Sequence, residues 1–336
     1  MKHEFRYLSQ EDIINLNIPY MDVINTVEQV MADFSNHLCQ LPVKIHVNTR
    51  PDTYINAMPS YIGGEREATG LKWVAGYPEN RAKGLPVTWG LMVMNDSDTG
   101  AVIGVMDARW ITAIRTAAVA AVTAKYCKVQ NTNAMTIIGA GEQGRWNARL
   151  LKMVIPELKK IYIGDLYDSA VKVYMEKMQP LMPEVEFIPF YSEGERQAAI
   201  DASQILLTAT QRGSKPIIYS EMLHKGMLGM PLESTAWEGK TYSRYADRFV
   251  CDDWNLVQTY LKDGKYTDGL REEHQLLGDI VTGKTIGRAN EEEFVISSSH
   301  GVALSDVALG RLILEKAEAM GAGIMLPLME NNDMLR

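Results

Sequence analysis

Apolar residues at Val23, Val27, Val30, Met31 and Phe34 recur every three or four positions and predict a helix within 13–38. From Thr53 the pattern changes to short β-like runs at 54–58, 70–75, 87–95 and 102–106. Between the last two, the cluster Asp96-Ser97-Asp98-Thr99-Gly100 predicts a hairpin connection. The first third therefore reads as a helix followed by a largely antiparallel sheet. Asp107 stands where an N-cap would, ahead of an Ala-rich helical stretch at 108–125. From Ala134 onward strands and helices alternate: strands at 135–138, 161–163, 205–208 and 249–251, helices at 143–153 and 169–178. That alternation argues for a parallel sheet with helices on its faces. A last helical stripe, with Leu309, Leu312, Ile313, Ala317 and Met320, closes at Gly321 and is expected to return to the N-terminal part.

Of 336 residues, 46% are hydrophobic and 23% charged, enough for a sizeable core in one large domain or two ordinary ones. Acidic residues outnumber basic ones, 42 to 34, for a formal net charge of −8. Coating nucleic acid needs the opposite surplus, so no nucleic-acid partner is expected. No apolar run has the length of a membrane helix, and Met1 to Asp12 hold no apolar stretch behind the basic residues, so a soluble cytoplasmic protein without a membrane partner is expected. Cys39, Cys127 and Cys251 form no CxxC pair, and the six histidines show no HExxH or HxH spacing, so neither a disulfide framework nor a metal site is expected.

The strongest local motif is Gly139-Ala140-Gly141-Glu142-Gln143-Gly144, directly after a predicted strand and before a predicted helix. In that context the first glycine makes the turn, the second lets backbone approach a pyrophosphate, and the third allows close packing of helix on strand. The next strand ends in Asp165, an acid placed to accept from a ribose hydroxyl and to repel a 2′-phosphate, which favours NAD over NADP. Thr208 and Thr210 follow another strand at the same edge, where hydroxyls serve either as cofactor contacts or as strand-end caps.

Ahead of this unit, basic residues interrupt apolar sequence. Arg115 shares a helical stripe with Ile111 and Val119 and needs an anionic partner, either a substrate carboxylate or an internal acid. Lys72, in Gly70-Leu71-Lys72-Trp73-Val74, is either a buried acid/base group or a lysine guarding a sheet edge. Lys44 is a third, weaker candidate, with a solvated face as its alternative.

Several segments together resemble the ornithine cyclodeaminase/mu-crystallin family of NAD(P)-dependent proteins over nearly the whole chain. They are Ala57-Met58-Pro59, Gly70-Leu71-Lys72, Gly76-Tyr77-Pro78-Glu79-Asn80, Ile114-Arg115-Thr116-Ala117-Ala118, Ile138-Gly139-Ala140-Gly141-Glu142-Gln143, Leu277-Gly278-Asp279-Ile280-Val281-Thr282-Gly283 and Ser299-His300-Gly301-Val302-Ala303-Leu304-Ser305-Asp306. The resemblance implies an α/β fold with a central Rossmann domain and a second α+β domain formed by both chain ends, which makes a homodimer. It implies boundaries at 1–118 for the substrate and dimerisation part, 119–304 for the NAD-binding part and 305–336 for the returning C-terminal helix. Carried over by motif, Lys72, Arg115 and more loosely Lys44 match substrate-carboxylate contacts. Gly139, Gly141, Gln143, Gly144, Asp165, Thr208, Thr210 and Gly301 match dinucleotide contacts.

Departures from the family pattern bear on the reaction. The family's cyclodeaminases carry an acid before the Met-Pro pair, where this chain has Asn56-Ala57. Their catalytic aspartate lies four residues before the lysine of a Pro-Gly-Lys turn; Ala236 holds that place before Lys240, leaving Glu233 or Glu238 as substitutes, with Glu233 the candidate catalytic carboxylate. Met58 to Gly64, Gly70 to Trp73 and Asp252-Asp253-Trp254 are similar to a branch of siderophore-pathway dehydrogenases that oxidise an N-substituted glutamate to 2,3-diaminopropionate and 2-oxoglutarate. The expected activity is an NAD-dependent oxidoreductase acting through an imine on the C–N bond of an amino acid or N-substituted amino acid. The alternatives are a cyclodeaminase that recycles bound NAD and a non-catalytic cofactor-binding protein of mu-crystallin type.

Overall fold

The computed structural model describes residues 2–210 and 215–331. They form two compact units: Met1–Arg115 with Val302–Arg336, and Thr116–Gly301.

In chain order, strand β1 (His3–Leu8) is followed by helices α1 (Gln10–Asn15) and α2 (Tyr20–Ser35). Helix α2 holds all five apolar positions that predict a helix within 13–38, and the short α1 precedes it. Pro19, which has no N–H to donate, is the N-cap of α2, while Ser9 and Asp12 close a capping box on α1. Short strands β2 (Cys39–Gln40) and β3 (Ile45–Val47) precede β4 (Tyr54–Ile62), β5 (Ala68–Gly76), β6 (Thr88–Asn95) and β7 (Val102–Asp107), which pair antiparallel in sequence. The turn at 96–100 closes the β6–β7 hairpin, with Gly100 N donating to Asp96 O. Asp107 accepts at Oδ1 from Arg109 N and Trp110 N, at 3.0 and 3.3 Å, and so opens helix α3 (Arg109–Cys127) as expected.

Thr116–Gly301 holds β8 (Ala134–Ile138), α4 (Glu142–Val154), β9 (Lys160–Gly164), α5 (Asp168–Met178), β10 (Glu186–Pro189), α6 (Glu193–Asp201), β11 (Ile205–Thr208), β12 (Leu228–Pro231), β13 (Arg248–Cys251), α7 (Trp254–Lys262), β14 (Gln275–Leu276), α8 (Leu277–Val281) and β15 (Val295–Ser297). The strand order is β10-β9-β8-β11-β12-β15-β13-β14, and every neighbouring pair is parallel. The order reverses between β8 and β11. A parallel sheet of this kind gathers ligands outside its carboxyl edge at that reversal.

The chain then returns to the first unit through helix α9 (Ala303–Met320), ended by Gly321 at φ +63°, and strand β16 (Ile324–Met329), which pairs antiparallel with β1. The unit's sheet runs β16-β1-β7-β6-β5-β4-β2, with β3 also on β4. Side chains alternate cleanly along β5 and β6: Lys72, Val74, Met92 and Met94 are buried, and α9 packs on β4, β5 and β6. The architecture is α/β, a Rossmann unit plus an α+β unit made from both chain ends.

Candidate active site

At the carboxyl end of β8 the glycine turn is shaped by the protein's own packing. Gly139 has φ +118°, and a Cβ there would lie 2.3 Å from the Ala209 carbonyl oxygen after β11. A Cβ on Gly144 would lie 2.1 Å from the Gly139 carbonyl oxygen. Gly141 differs, because a Cβ there meets nothing within 4 Å. It is also the N-cap of α4 and has no side chain to bind the helix's first N–H groups. The outer glycines are therefore required by the fold, and the middle one borders open space at the N-terminal end of α4, a cradle suited to a pyrophosphate. Gln143 is half-buried there, and its carbonyl oxygen accepts from Asn147 Nδ2 at 2.8 Å. Asp165 follows β9 with its carboxylate fixed by Ala140 N at 2.8 Å and Tyr167 N at 3.1 Å. Each oxygen keeps a lone pair for a ribose hydroxyl. The residues present fit a dinucleotide whose ribose lacks a 2′-phosphate.

The next strand ends combine differently from the expectation. Thr208 is fully buried and its Oγ1 accepts from Trp237 Nε1 at 2.8 Å, which ties this strand end to the core. Thr210 donates from both N (3.2 Å) and Oγ1 (2.7 Å) to Glu233 Oε1. Glu233, just past β12, has its carboxyl pushed up to about 7 by burial, against the pull of Thr210 and Thr208. Glu238, the other substitute considered, pairs with Lys240 at 3.1 Å and accepts from Ser220 N, which holds it below its ordinary range despite partial burial. Ala236 is buried. Among these, Glu233 is the carboxyl whose protonation changes near neutrality. Gly301, at φ +77°, donates its N–H to Asp252 Oδ2 at 2.7 Å, and His300 N donates to Asp252 Oδ1 at 3.2 Å, so Asp252 fixes the backbone beyond β15.

In the other unit the structure brings together the basic residues singled out from sequence, and adds an acid, Asp306. Lys72 is fully buried on β5, with its Nζ 2.6 Å from Asp306 Oδ1. Arg115 Nε lies 3.4 Å from the same oxygen. The edge-guarding role for Lys72 is thereby removed, and Arg115 does have an internal acid. Burial brings the Lys72 ammonium down to about 8; Asp306 opposes this, while Arg115 and the half-buried Lys44 add to it. Asp306, missed at the sequence level, is itself fully buried in the first turn of α9. It shares a stripe with Val302, Leu309 and Ile313, the same signal that marked Arg115. Lys72 Nζ, Arg115 Nε and both Asp306 oxygens lack a well-directed hydrogen bond among the described residues. Such a cluster can take a carboxylate, which would fill the open valences of both cations.

The sequence model of the ornithine cyclodeaminase/mu-crystallin family matches residues 6–321. The chain belongs to that family. Among its relatives, the nodulation efficiency protein NfeD of Rhizobium meliloti is 32% identical over 96% of this chain and 98% of its own. The N-((2S)-2-amino-2-carboxyethyl)-L-glutamate dehydrogenase of Staphylococcus aureus is 27% identical over 98% of this chain and all of its own. The structure of Thermococcus litoralis Delta(1)-pyrroline-2-carboxylate reductase in complex with NADH and L-proline superposes with a TM-score of 0.83 at 27% identity, covering 95% of this chain and 99% of that one. Two of these three relatives are thus named for an activity, one a dehydrogenase and one a reductase. Among the described residues no helix is long and apolar enough to cross a membrane, and no group of His, Cys, Asp and Glu has the geometry to hold a metal ion.

Gly139→Ala places a methyl against the Ala209 carbonyl in a left-handed backbone, a strain of about 1–3 kcal/mol before any relaxation. A lowered melting temperature together with loss of NADH binding is expected, read by thermal denaturation and by NADH fluorescence titration. Wild-type NADH affinity in this variant would show that the turn does not shape a cofactor site.

Proposed function

We propose that this protein is an NAD-dependent oxidoreductase acting on the C–N bond of an amino acid or N-substituted amino acid, and on the matching imine in reverse. The observation that carries the reading is the buried Lys72, Arg115 and Asp306 cluster with its unfilled hydrogen-bonding valences. It is joined by a glycine turn that fits a dinucleotide and by family relatives whose names place dehydrogenase or reductase chemistry on such bonds. In this reading Thr116–Gly301 binds the cofactor, and the unit made from both chain ends binds substrate and dimerises.

Lys72 and Arg115, with Lys44 nearby, hold the substrate α-carboxylate and so orient the α-carbon; positioning of this kind supplies much of an enzyme's rate. Gly139, Gly141, Gln143, Gly144 and Asp165 hold NAD, with Thr210 and Gly301 acting through Glu233 and Asp252. NAD held by these residues would supply hydride transfer to and from the substrate α-carbon. Glu233, which titrates near neutrality, takes up the proton released as the C–N bond is oxidised and returns it for reduction. Water then attacks the imine carbon to release the amine.

The deciding experiment follows NADH absorbance while protein and NAD meet a panel of amino acids and N-(carboxyalkyl)-amino acids, with ammonia assayed in parallel. Stoichiometric NADH is expected. Ammonia and a cyclic amino acid without net NADH would establish a cyclodeaminase instead, and tight NADH binding with no turnover on the whole panel would establish a binding protein. Lys72→Ala and Arg115→Ala should each cost at least about a hundredfold in kcat/KM, about 3 kcal/mol, with NADH affinity nearly unchanged.

Glu233→Gln should lower kcat by about 10² to 10⁴. As a base Glu233 works ionised, so wild-type amino acid oxidation should fall as pH drops through about 7, and the variant should lack that limb. An unchanged acidic limb in the pH–rate profile of the variant would remove Glu233 from the chemistry.

We further infer a homodimer through the outward face of the β-sheet of the first unit. Trp73, Trp89 and Leu91 are 47%, 50% and 44% exposed there, with Ile45 and Val47 beyond them, an apolar face that a second copy would cover. Light scattering after size exclusion should give twice the chain mass, and Trp73→Glu with Leu91→Glu should halve it. A monomeric wild type would defeat this assignment.

A further inference from the structure

Asp306 is an acid at the centre of a site proposed to receive another acid. With its oxygen 2.6 Å from Lys72 Nζ and 3.4 Å from Arg115 Nε, it has the look of a plain internal ion pair that would use up the cations. Two facts argue against that. One carboxylate faces two cations, fully buried Lys72 and half-buried Arg115, so positive charge remains after pairing. In addition, Lys72 Nζ and Arg115 Nε, together with the Ser60 and Ser305 hydroxyls of the same unit, are buried without a directed hydrogen-bond partner among the described residues. Interiors rarely leave so many valences open except where a ligand supplies the partner.

We propose that Asp306 is the positioning residue of this site: by pairing with both Lys72 and Arg115 it keeps the lysine protonated and cancels one of their two charges, setting the site for a single carboxylate. The inference rests on the carboxylate role proposed above for Lys72 and Arg115. Its physical core is the balance acting on Lys72. Burial, Arg115 and Lys44 all favour the neutral amine, and Asp306 favours the ammonium. The strands on either side add no charge: the register partners of Lys72 are Met58 on β4 and Met92 on β6, and from α9 the facing acid is Asp306 itself. Without Asp306 the lysine would lose its proton at lower pH, and a neutral amine holds a carboxylate poorly. In the opposite sense, while the lysine is still charged, removing the acid leaves an entering anion facing two uncancelled cations and strengthens its binding.

The test is calorimetric titration of the full chain, saturated with NADH, with pyrrole-2-carboxylate between pH 5.5 and 9.5. This planar carboxylate has no hydride to transfer, so binding is read apart from turnover. Wild-type affinity should fall as pH rises through about 8. In Asp306→Asn that midpoint should drop by at least one pH unit, with affinity at the acid end equal to or tighter than wild type. Asp306→Glu, which keeps the charge but displaces it by a methylene, should keep the wild-type midpoint and bind more weakly. Should the Asn variant not fold, the Glu variant still decides, because wild-type affinity in it would show that the placement of the acid is immaterial and overturn the proposal. An unmoved midpoint in Asp306→Asn, or a uniform loss at every pH, would also overturn it, leaving Asp306 a merely structural acid. A wild type that fails to bind the probe at any pH sinks the carboxylate site itself, whereas a wild type that binds beside an unshifted Asn variant sinks only the role of Asp306.

Discussion

Two fully buried charged side chains, Lys72 and Asp306, with the half-buried Arg115 beside them, are the constraint around which the first unit is built. Removing each such group from water costs several kcal/mol even after the protein relaxes, and attraction offsets that cost only when the partners are held at close range. Lys72 comes from β5, Arg115 from α3 and Asp306 from the first turn of α9, so the pairing ties a central strand to a segment more than two hundred residues further along the chain. The C-terminal helix cannot leave the sheet without stranding the buried Lys72 ammonium and taking its acid from the half-buried Arg115. The return of the chain to its first unit, completed by β16 pairing with β1, is thus an electrostatic requirement as well as a matter of apolar burial.

Thr116–Gly301 is organised by a different rule, the reversal of strand order between β8 and β11. There the chain leaves two neighbouring strands in opposite lateral directions, and backbone must pass backbone closely. Gly139 is forced by its contact with Ala209 and Gly144 by its contact with Gly139, before any ligand is considered. Gly141 alone is free of the protein's packing. Further along the same edge, polar side chains fix one another: Trp237 holds Thr208, Thr210 holds Glu233, and Asp252 holds the backbone of His300 and Gly301. Each loop is braced by a neighbour, which keeps a ligand-binding edge rigid without a ligand.

Much of this was legible in the sequence because its signals are local. Strand alternation from 54 to 106, the cap at Asp107, the turn at 96–100 and the glycine motif in its strand and helix context all depend on near neighbours. The stripe from Val23 to Phe34 is local as well, and it falls wholly on α2, which starts directly after Pro19. Strands β10, β12 and β15 were not separable by pattern, since short strands in a parallel sheet carry no alternation, and β12 contains both Gly229 and Pro231. The polar partners were hidden for another reason. For Thr208 the sequence leaves cofactor contact and strand-end cap both open, because its partner Trp237 is distant in sequence. Asp306 was given no role of its own from the sequence, although its place on the apolar stripe of α9 was visible by the test that singled out Arg115.

Strand β5 joins the two properties of the first unit in a single register. Gly70, Lys72 and Val74 point to the buried face, and Leu71, Trp73 and Ala75 to the other. Because side chains along a strand alternate, a slip of one residue against β4 or β6 would carry Lys72 to the outer face and Trp73 inward, losing the charge cluster and the apolar surface together. The register is held by pairing along all nine residues of β5, from Ala68 opposite Ile62 to Gly76 opposite Tyr54. The ion pair beneath the strand opposes the same slip, since only one register delivers the lysine to Asp306. A charged group that is costly to bury thus also specifies the fold, and the position of Trp73 on the opposite face follows from it without separate encoding.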